Sequence, residues 1–194
     1  MIDAAVLEIL VEDCVYREGV SETMYLDSKG YVTVGIGQKL NAADEATRLP
    51  FVGNHIPATR TDIIVDYWRV AKMDAGHSAH SYSVPESPRL PAHRARQLCS
   101  QRVKGEFLPA LRALSLDVDA FPTPAVRALV AMAYCMGPHG LSGFPRMLSR
   151  CRMLDFTGAA LQCDMKGARN ETNARHERWF QQAAQEVRDA KRTG

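Results

Sequence analysis

Residues 123 to 137 read TPAVRALVAMAYCMG, and this run constrains the chain more than any other. Its apolar residues fall on every side of a helical wheel, with Arg127 the one charge, so a helix formed here has no face to give to water. Such a helix persists only when neighbours surround it, which demands several further helices from the same chain. Thr123 suits the N-cap, Pro124 the first helical position, where its missing N–H costs nothing, and Gly137 the stop. The run predicts the buried central helix of a bundle.

The rest of the chain supplies the partners. Leu7, Leu10, Val11, Cys14 and Val15 repeat at helical spacing opposite Glu8, Glu12 and Asp13, which predicts an amphipathic helix over 3–18 ended by Gly19. Helical periods also mark 61–73, 91–111, 144–152, 157–166 and 173–190, the last with Trp179, Phe180, Ala183 and Val187 on one face. Between the first helix and residue 41, TMYL, DSKG and YVTVGI change to a period of two, with Val32, Val34 and Ile36 alternating with Tyr31, Thr33 and Gly35, which predicts a hairpin or small sheet. Residues 76–90 have no period and are rich in Ser, Pro and Gly, and they read as a long loop, either mobile or a lid. The sum is an α+β chain, predominantly α. A small hairpin lobe over about 19–90 is joined by a long helix over about 91–111 to a helical lobe over about 112–194, with helix 3–18 alongside.

Composition bounds what such a chain can do. A length of 194 residues with 46% hydrophobic content allows one substantial core or one domain with two lobes. No apolar run reaches the length of a membrane span, and the first residues carry acids where a secretory signal carries Lys or Arg, so the expectation is a soluble chain without an export signal. Five cysteines without a Cys-x-x-Cys pair read as buried free thiols of a protein folded under reducing conditions. His77 and His80 have no carboxylate or thiol at ligand spacing, so neither a metal site nor a cofactor is expected. Residues 1–60 hold nine acids against five bases, whereas 146–194 hold six against ten. The basic end is either a solvated face or a surface for a polyanion; without interleaved aromatic residues it does not read as a nucleic-acid site.

Three polar residues stand out in REGVSETMYLDSKGYVTVGIGQKL, residues 17–40. Glu18 continues the apolar stripe of the first helix through positions 7, 11 and 14. If that phase buries it, lost solvation keeps a proton available near neutral pH, as a general acid requires; otherwise it is a solvated glutamate. Asp27 opens an Asp-Ser-Lys-Gly turn, an ordinary use of the residue, but an exposed aspartate stays ionised, and a protonated Glu with an ionised Asp is the pairing of glycoside hydrolysis. Thr33 is either a good strand former or, if the hairpin folds back over the helix end, a group that holds a water in front of Glu18. Gly35-Ile36-Gly37 lacks the third glycine of a dinucleotide fingerprint and reads as backbone that lets a ligand lie close.

Taken together, the Glu-Gly pair and YLDSKGYVTVGIG, with nine residues from Glu18 to Asp27 and six more to Thr33, resemble the catalytic signature of the phage-type lysozymes, the T-even-phage-like muramidases of glycoside hydrolase family 24. AYCMGPHGLSGFPRML resembles that family's buried helix and the turn that follows it, and NARHERWF resembles the segment that sets an arginine beside the acid. The resemblance implies a two-lobed lysozyme-like fold over the whole chain and cleavage of the β-1,4 bond between N-acetylmuramic acid and N-acetylglucosamine in peptidoglycan. It implies Glu18 as general acid, Asp27 as the group that orients or deprotonates water, Thr33 as its holder and Arg175 as the partner of Glu18. It further implies Tyr134, Gln162, Lys39 and Met147 as saccharide contacts. Gln38 stands where relatives often have His, Arg102 where an acid is expected and Cys135 where an amide is usual, and residues 41–90 exceed the smallest members.

The expected activity is a metal-free muramidase used in bacterial lysis, as an endolysin or an antibacterial effector. It would be a monomer delivered to the periplasm by a holin or secretion system, with an immunity protein or a spike protein as further partners. The alternatives are a catalytically silent peptidoglycan-binding module and a lytic transglycosylase. Asp27 and Thr33 as water-holding groups speak for hydrolysis over the latter.

Overall fold

The protein was described by a computed structural model covering residues 2–53, 57–137 and 139–193; Pro138, inside the second resembling motif, lies outside the described residues. The elements run α1 (Ala4–Glu18), β1 (Ser21–Leu26), β2 (Val32–Gly35), β3 (Gln38–Lys39), α2 (Ala43–Ala46), α3 (Arg60–Ala71), α4 (Ala92–Arg102), α5 (Leu108–Ala113), α6 (Thr123–Met136), α7 (Pro145–Arg152), α8 (Phe156–Ala160) and α9 (Asn170–Thr193). The fold is α+β and mostly helical. It divides into two compact units, one formed by Cys14–Cys99 and the other by Met1–Asp13 with Ser100–Gly194.

In the helical unit α6 is buried on nearly all sides, from Ala125 and Val126 to Met132 and Ala133, as its composition requires. It packs against α9, which also meets α8. Phe156 of α8 links the layers, edge-on to Phe121 at 5.3 Å between ring centroids and stacked on Phe180 of α9 at 6.4 Å. The one charge of α6 is neutralised where it sits: Arg127 donates to both carboxylate oxygens of Asp13, at 2.7 and 2.8 Å, and lies 4.6 Å over the Trp179 ring. The helical stretch from 92 to 113 is not uniform. Residues Val103–Phe107 form a π-type turn, because Pro109 cannot donate to the carbonyl of Gly105 and its ring crowds that carbonyl.

The other unit is built on the three-stranded antiparallel sheet β1-β2-β3. Met24, Leu26, Val32 and Val34 are buried, and α3 packs on this sheet with Ile63, Tyr67 and Val70 inward. Thr59 and Asp62 form a reciprocal capping box at the start of α3. Glu22 of β1 accepts from Ala92 N at 3.1 Å, satisfying the first turn of α4.

Residues 76–90 are irregular but pinned rather than a mobile lid. Tyr82 is fully buried and its hydroxyl donates to Asp74 O at 2.9 Å. Arg69 donates to Asp66 at 2.7 Å, to Tyr82 O at 2.6 Å and to Ser87 Oγ at 3.2 Å, and Arg89 pairs with Val52 in a short antiparallel bridge. Gly35 is likewise a packing residue and not an approach for a ligand: at φ +65° any Cβ would meet Leu90 and Ala95 at 3.2 and 3.3 Å. Among the five cysteines Cys135 is exposed, against the expectation of burial, while Cys14, Cys99, Cys151 and Cys163 are buried and none of the five is in a disulfide.

Candidate active site

Asp27 ends β1 and builds its own turn. Its Oδ1 accepts from Lys29 N at 2.8 Å and from Tyr31 N at 2.9 Å, while Gly30 N donates to its carbonyl at 2.9 Å and Gly30 adopts φ +80°. One carboxylate oxygen thus holds the hairpin together, and the other has no hydrogen-bond donor among the described residues. The turn reading and the site reading of Asp27 are compatible, because they use different oxygens.

Thr33 occupies the central strand. It stands opposite Tyr25 on one side and Lys39 on the other, is buried, and donates its hydroxyl to Tyr31 O at 3.0 Å. Cross-strand partners share a face, as do residues two apart, so Tyr25, Asp27, Tyr31, Thr33 and Lys39 line one side of the sheet. There the Lys39 ammonium rests 3.2 Å from the Tyr31 ring centroid. A bulge between Ser21 and Tyr25, where Ser21 Oγ donates to Thr23 O at 2.8 Å, sets this register.

Glu18 is the last residue of α1 and is exposed, which corrects the burial its helical phase predicts. The stripe of Leu7, Leu10, Val11 and Cys14 is covered, but the covering stops a turn earlier, and Gly19 at φ +70° redirects the chain immediately afterwards. The carboxylate nevertheless belongs with the hairpin. The pKa of Tyr25 is raised first by burial, then by the charge of Glu18, then by that of Asp27. Both carboxylates are thus near enough to Tyr25 for their charges to hold its proton. Tyr25 is absent from the site as read in sequence, although YLD places it two residues before Asp27 and hence on the same face.

The remaining expected contacts lie in the helical unit. Tyr134 is half-buried, its ring 5.2 Å from that of Phe107 and its hydroxyl accepting from Arg102 Nη1 at 3.4 Å. Arg102 also pairs with Glu106 at 3.6 Å, so the cation that replaces an expected acid finds its counter-charge on its own helical stretch. Gln162 is exposed in the turn after α8, and Arg175 is half-buried in the second turn of α9. Met147 is fully buried in the core beside Leu148 and Cys151, so it is a core residue and not a saccharide contact; α7 turns this stripe inward. Among the described residues no group of three His, Cys, Asp or Glu could hold a metal ion, and no helix is long and apolar enough to cross a membrane.

An exposed carboxylate at a helix end, a turn carboxylate with one oxygen to spare and a neutral phenol near both make a centre suited to proton transfer at a polar bond. The fold is lysozyme-like. The crystal structure of a P22 lysozyme mutant matches 94% of this chain and 97% of its own, with a TM-score of 0.55 and 13% sequence identity. No family model matches the sequence, and no curated protein matches it either.

Proposed function

We propose that the protein is a peptidoglycan hydrolase that cleaves the β-1,4 bond between N-acetylmuramic acid and N-acetylglucosamine. What supports this reading is the placement of Asp27 and Thr33 on one side of the sheet, beside a Tyr25 phenol whose pKa is raised by burial and then by the charges of Glu18 and Asp27, within a lysozyme-like fold. In it Glu18 protonates the leaving oxygen, the free oxygen of Asp27 orients or deprotonates water, and Thr33 helps hold that water. Arg175 pairs with Glu18, and Lys39, Tyr134 and Gln162 contact the glycan. The chain acts without a metal on the cell wall in the periplasm, delivered by a holin or a secretion system, and an immunity or spike protein is its further partner.

The test is mass spectrometry of fragments released from purified sacculi, with Glu18→Gln as control. Reducing N-acetylmuramic acid ends are expected from the wild type. The variant should lose on the order of 10² to 10⁴ in rate, the usual contribution of a general acid, while keeping its fold. Anhydro ends would make the protein a lytic transglycosylase, and no release at all a silent binding module. Lysis by Glu18→Gln at the wild-type rate would remove Glu18 from the reaction.

A further inference from the structure

Tyr31 has no part in the reaction as set out so far, yet three residues of the candidate site meet at it. Its N–H donates to Asp27 Oδ1 at 2.9 Å, and its carbonyl accepts from Asp27 N and from Thr33 Oγ1, both at 3.0 Å. Its ring lies against the Lys39 ammonium, with Nζ 3.2 Å from the centroid. The contacts to Asp27 and Thr33 are made by the main chain, so only the one to Lys39 depends on which side chain stands at position 31. That ring is 45% exposed and thus open to a ligand rather than committed to the core.

Lys39 is held at both ends. Its backbone pairs with Thr33 across β2 and β3, and its carbonyl accepts from Gln38 Nε2 at 3.2 Å. Its ammonium forms no ion pair with an acid among the described residues; it rests on the Tyr31 ring, on the side of the sheet that also carries Asp27 and Thr33. A ring occupies one flank of an ammonium and leaves its remaining N–H groups to a ligand. A stem already ordered by folding also loses less freedom when that ligand arrives. A fixed cation without a counter-charge suits an anion, and it offsets the repulsion an anion would meet from Asp27.

We propose that Tyr31 positions Lys39 to bind a carboxylate of the glycan, so that this face of the sheet favours substrate whose muramic acid side is anionic. The inference rests on the hydrolase reading of the same site. Of the two sugars in that reading, N-acetylmuramic acid alone bears an acid, either its own lactyl carboxyl or the carboxyls of a peptide attached there.

The test uses glycan chains stripped of peptide and chains that keep it, each with carboxyls free or blocked as methyl amides. The readout is the ratio of KM on blocked chains to KM on free ones. Wild type is expected to show about 5-fold, the strength of a partly exposed ion pair, shrinking in about 1 M salt. A preference on stripped chains assigns the lactyl carboxyl, and one confined to peptide-bearing chains assigns the peptide. Lys39→Met keeps the stem without the charge and should abolish the preference. Tyr31→Leu, which retains the main-chain bonds, should weaken it, and Tyr31→Phe, which retains the ring, should restore it; melting temperatures check each fold. No preference in the wild type on either substrate, or one that survives Lys39→Met, would overturn the binding role. A ratio unchanged in Tyr31→Leu would overturn the role of the ring. Dissociation constants of soluble fragments give the same ratio without turnover. A wild type that cuts neither substrate, yet binds free-carboxyl fragments more tightly through Lys39, would defeat the hydrolase reading alone.

Discussion

Asp27 holds its turn and, in the proposed reaction, also acts on water, and the two roles are separable by substitution. Asn keeps an oxygen for Lys29 N and Tyr31 N but removes the charge, whereas Ala removes both. Asp27→Asn is therefore expected to fold with a melting temperature close to wild type and to lose sacculus hydrolysis. Asp27→Ala should lose activity and also about 2 kcal/mol of stability, from two charge-assisted backbone bonds left unmade. Denaturant melts of the two variants beside a lysis assay separate the contributions. Equal stability of both would mean that the side chain does not hold the turn. Of the residues read from sequence, Asp27 was legible because its turn bonds are all local, whereas the exposure of Glu18 depends on how far neighbouring elements reach along α1.

At the level of elements, the segment 76–90 shows how an irregular stretch becomes part of the structure. Arg69 of α3 bonds Asp66, the carbonyl of Tyr82 and the hydroxyl of Ser87, and Asp66 is almost wholly buried. Replacing Arg69 by Ala leaves that carboxylate buried without its cation, a change that costs about 3 to 5 kcal/mol in comparable pairs; the partial exposure of Arg69 favours the lower end. The expected outcome is a lower melting temperature and new proteolytic cuts between 76 and 90. Wild-type resistance to protease would show that Tyr82 and the Val52–Arg89 bridge hold the segment without Arg69. The bonds to Tyr82 and Ser87 join residues far apart in the chain, so no period or turn signal announces them. The π-type turn at Val103–Phe107, by contrast, follows from a proline four residues past Gly105.

Across the whole molecule, the buried thiols make stability depend on alkaline pH. Burial pushes Cys151 up to about 12 and Cys163 up to about 11. In the unfolded chain a thiol ionises near 8.5, so above about that pH the unfolded state sheds protons that the folded state retains. The contribution of these groups is full below that pH and is lost as pH rises through 11 to 12. Tyr25, also raised, acts in the same sense above about pH 10. Cys151→Ala should cost roughly 1 kcal/mol at pH 7 from the small void it leaves, and that deficit should shrink at pH 10. Urea titrations at the two pH values measure it, and a deficit independent of pH would mean that the thiol ionises alike in both states.

The amino-acid pattern by itself determined the elements: the all-apolar run of α6, the stripe of α1, the alternation around Thr33 and the Asp27–Gly30 turn are local properties of consecutive residues. It also determined the spacing of Glu18, Asp27 and Thr33. Only the tertiary structure decided which of those faces meets a partner. It left Glu18 in solvent, closed Met147 into the core, tied 76–90 down and put the Tyr25 phenol within the influence of both carboxylate charges. The physical reason is that helical phase and strand alternation state where a side chain points relative to its own element, whereas burial and electrostatics depend on what stands across from it.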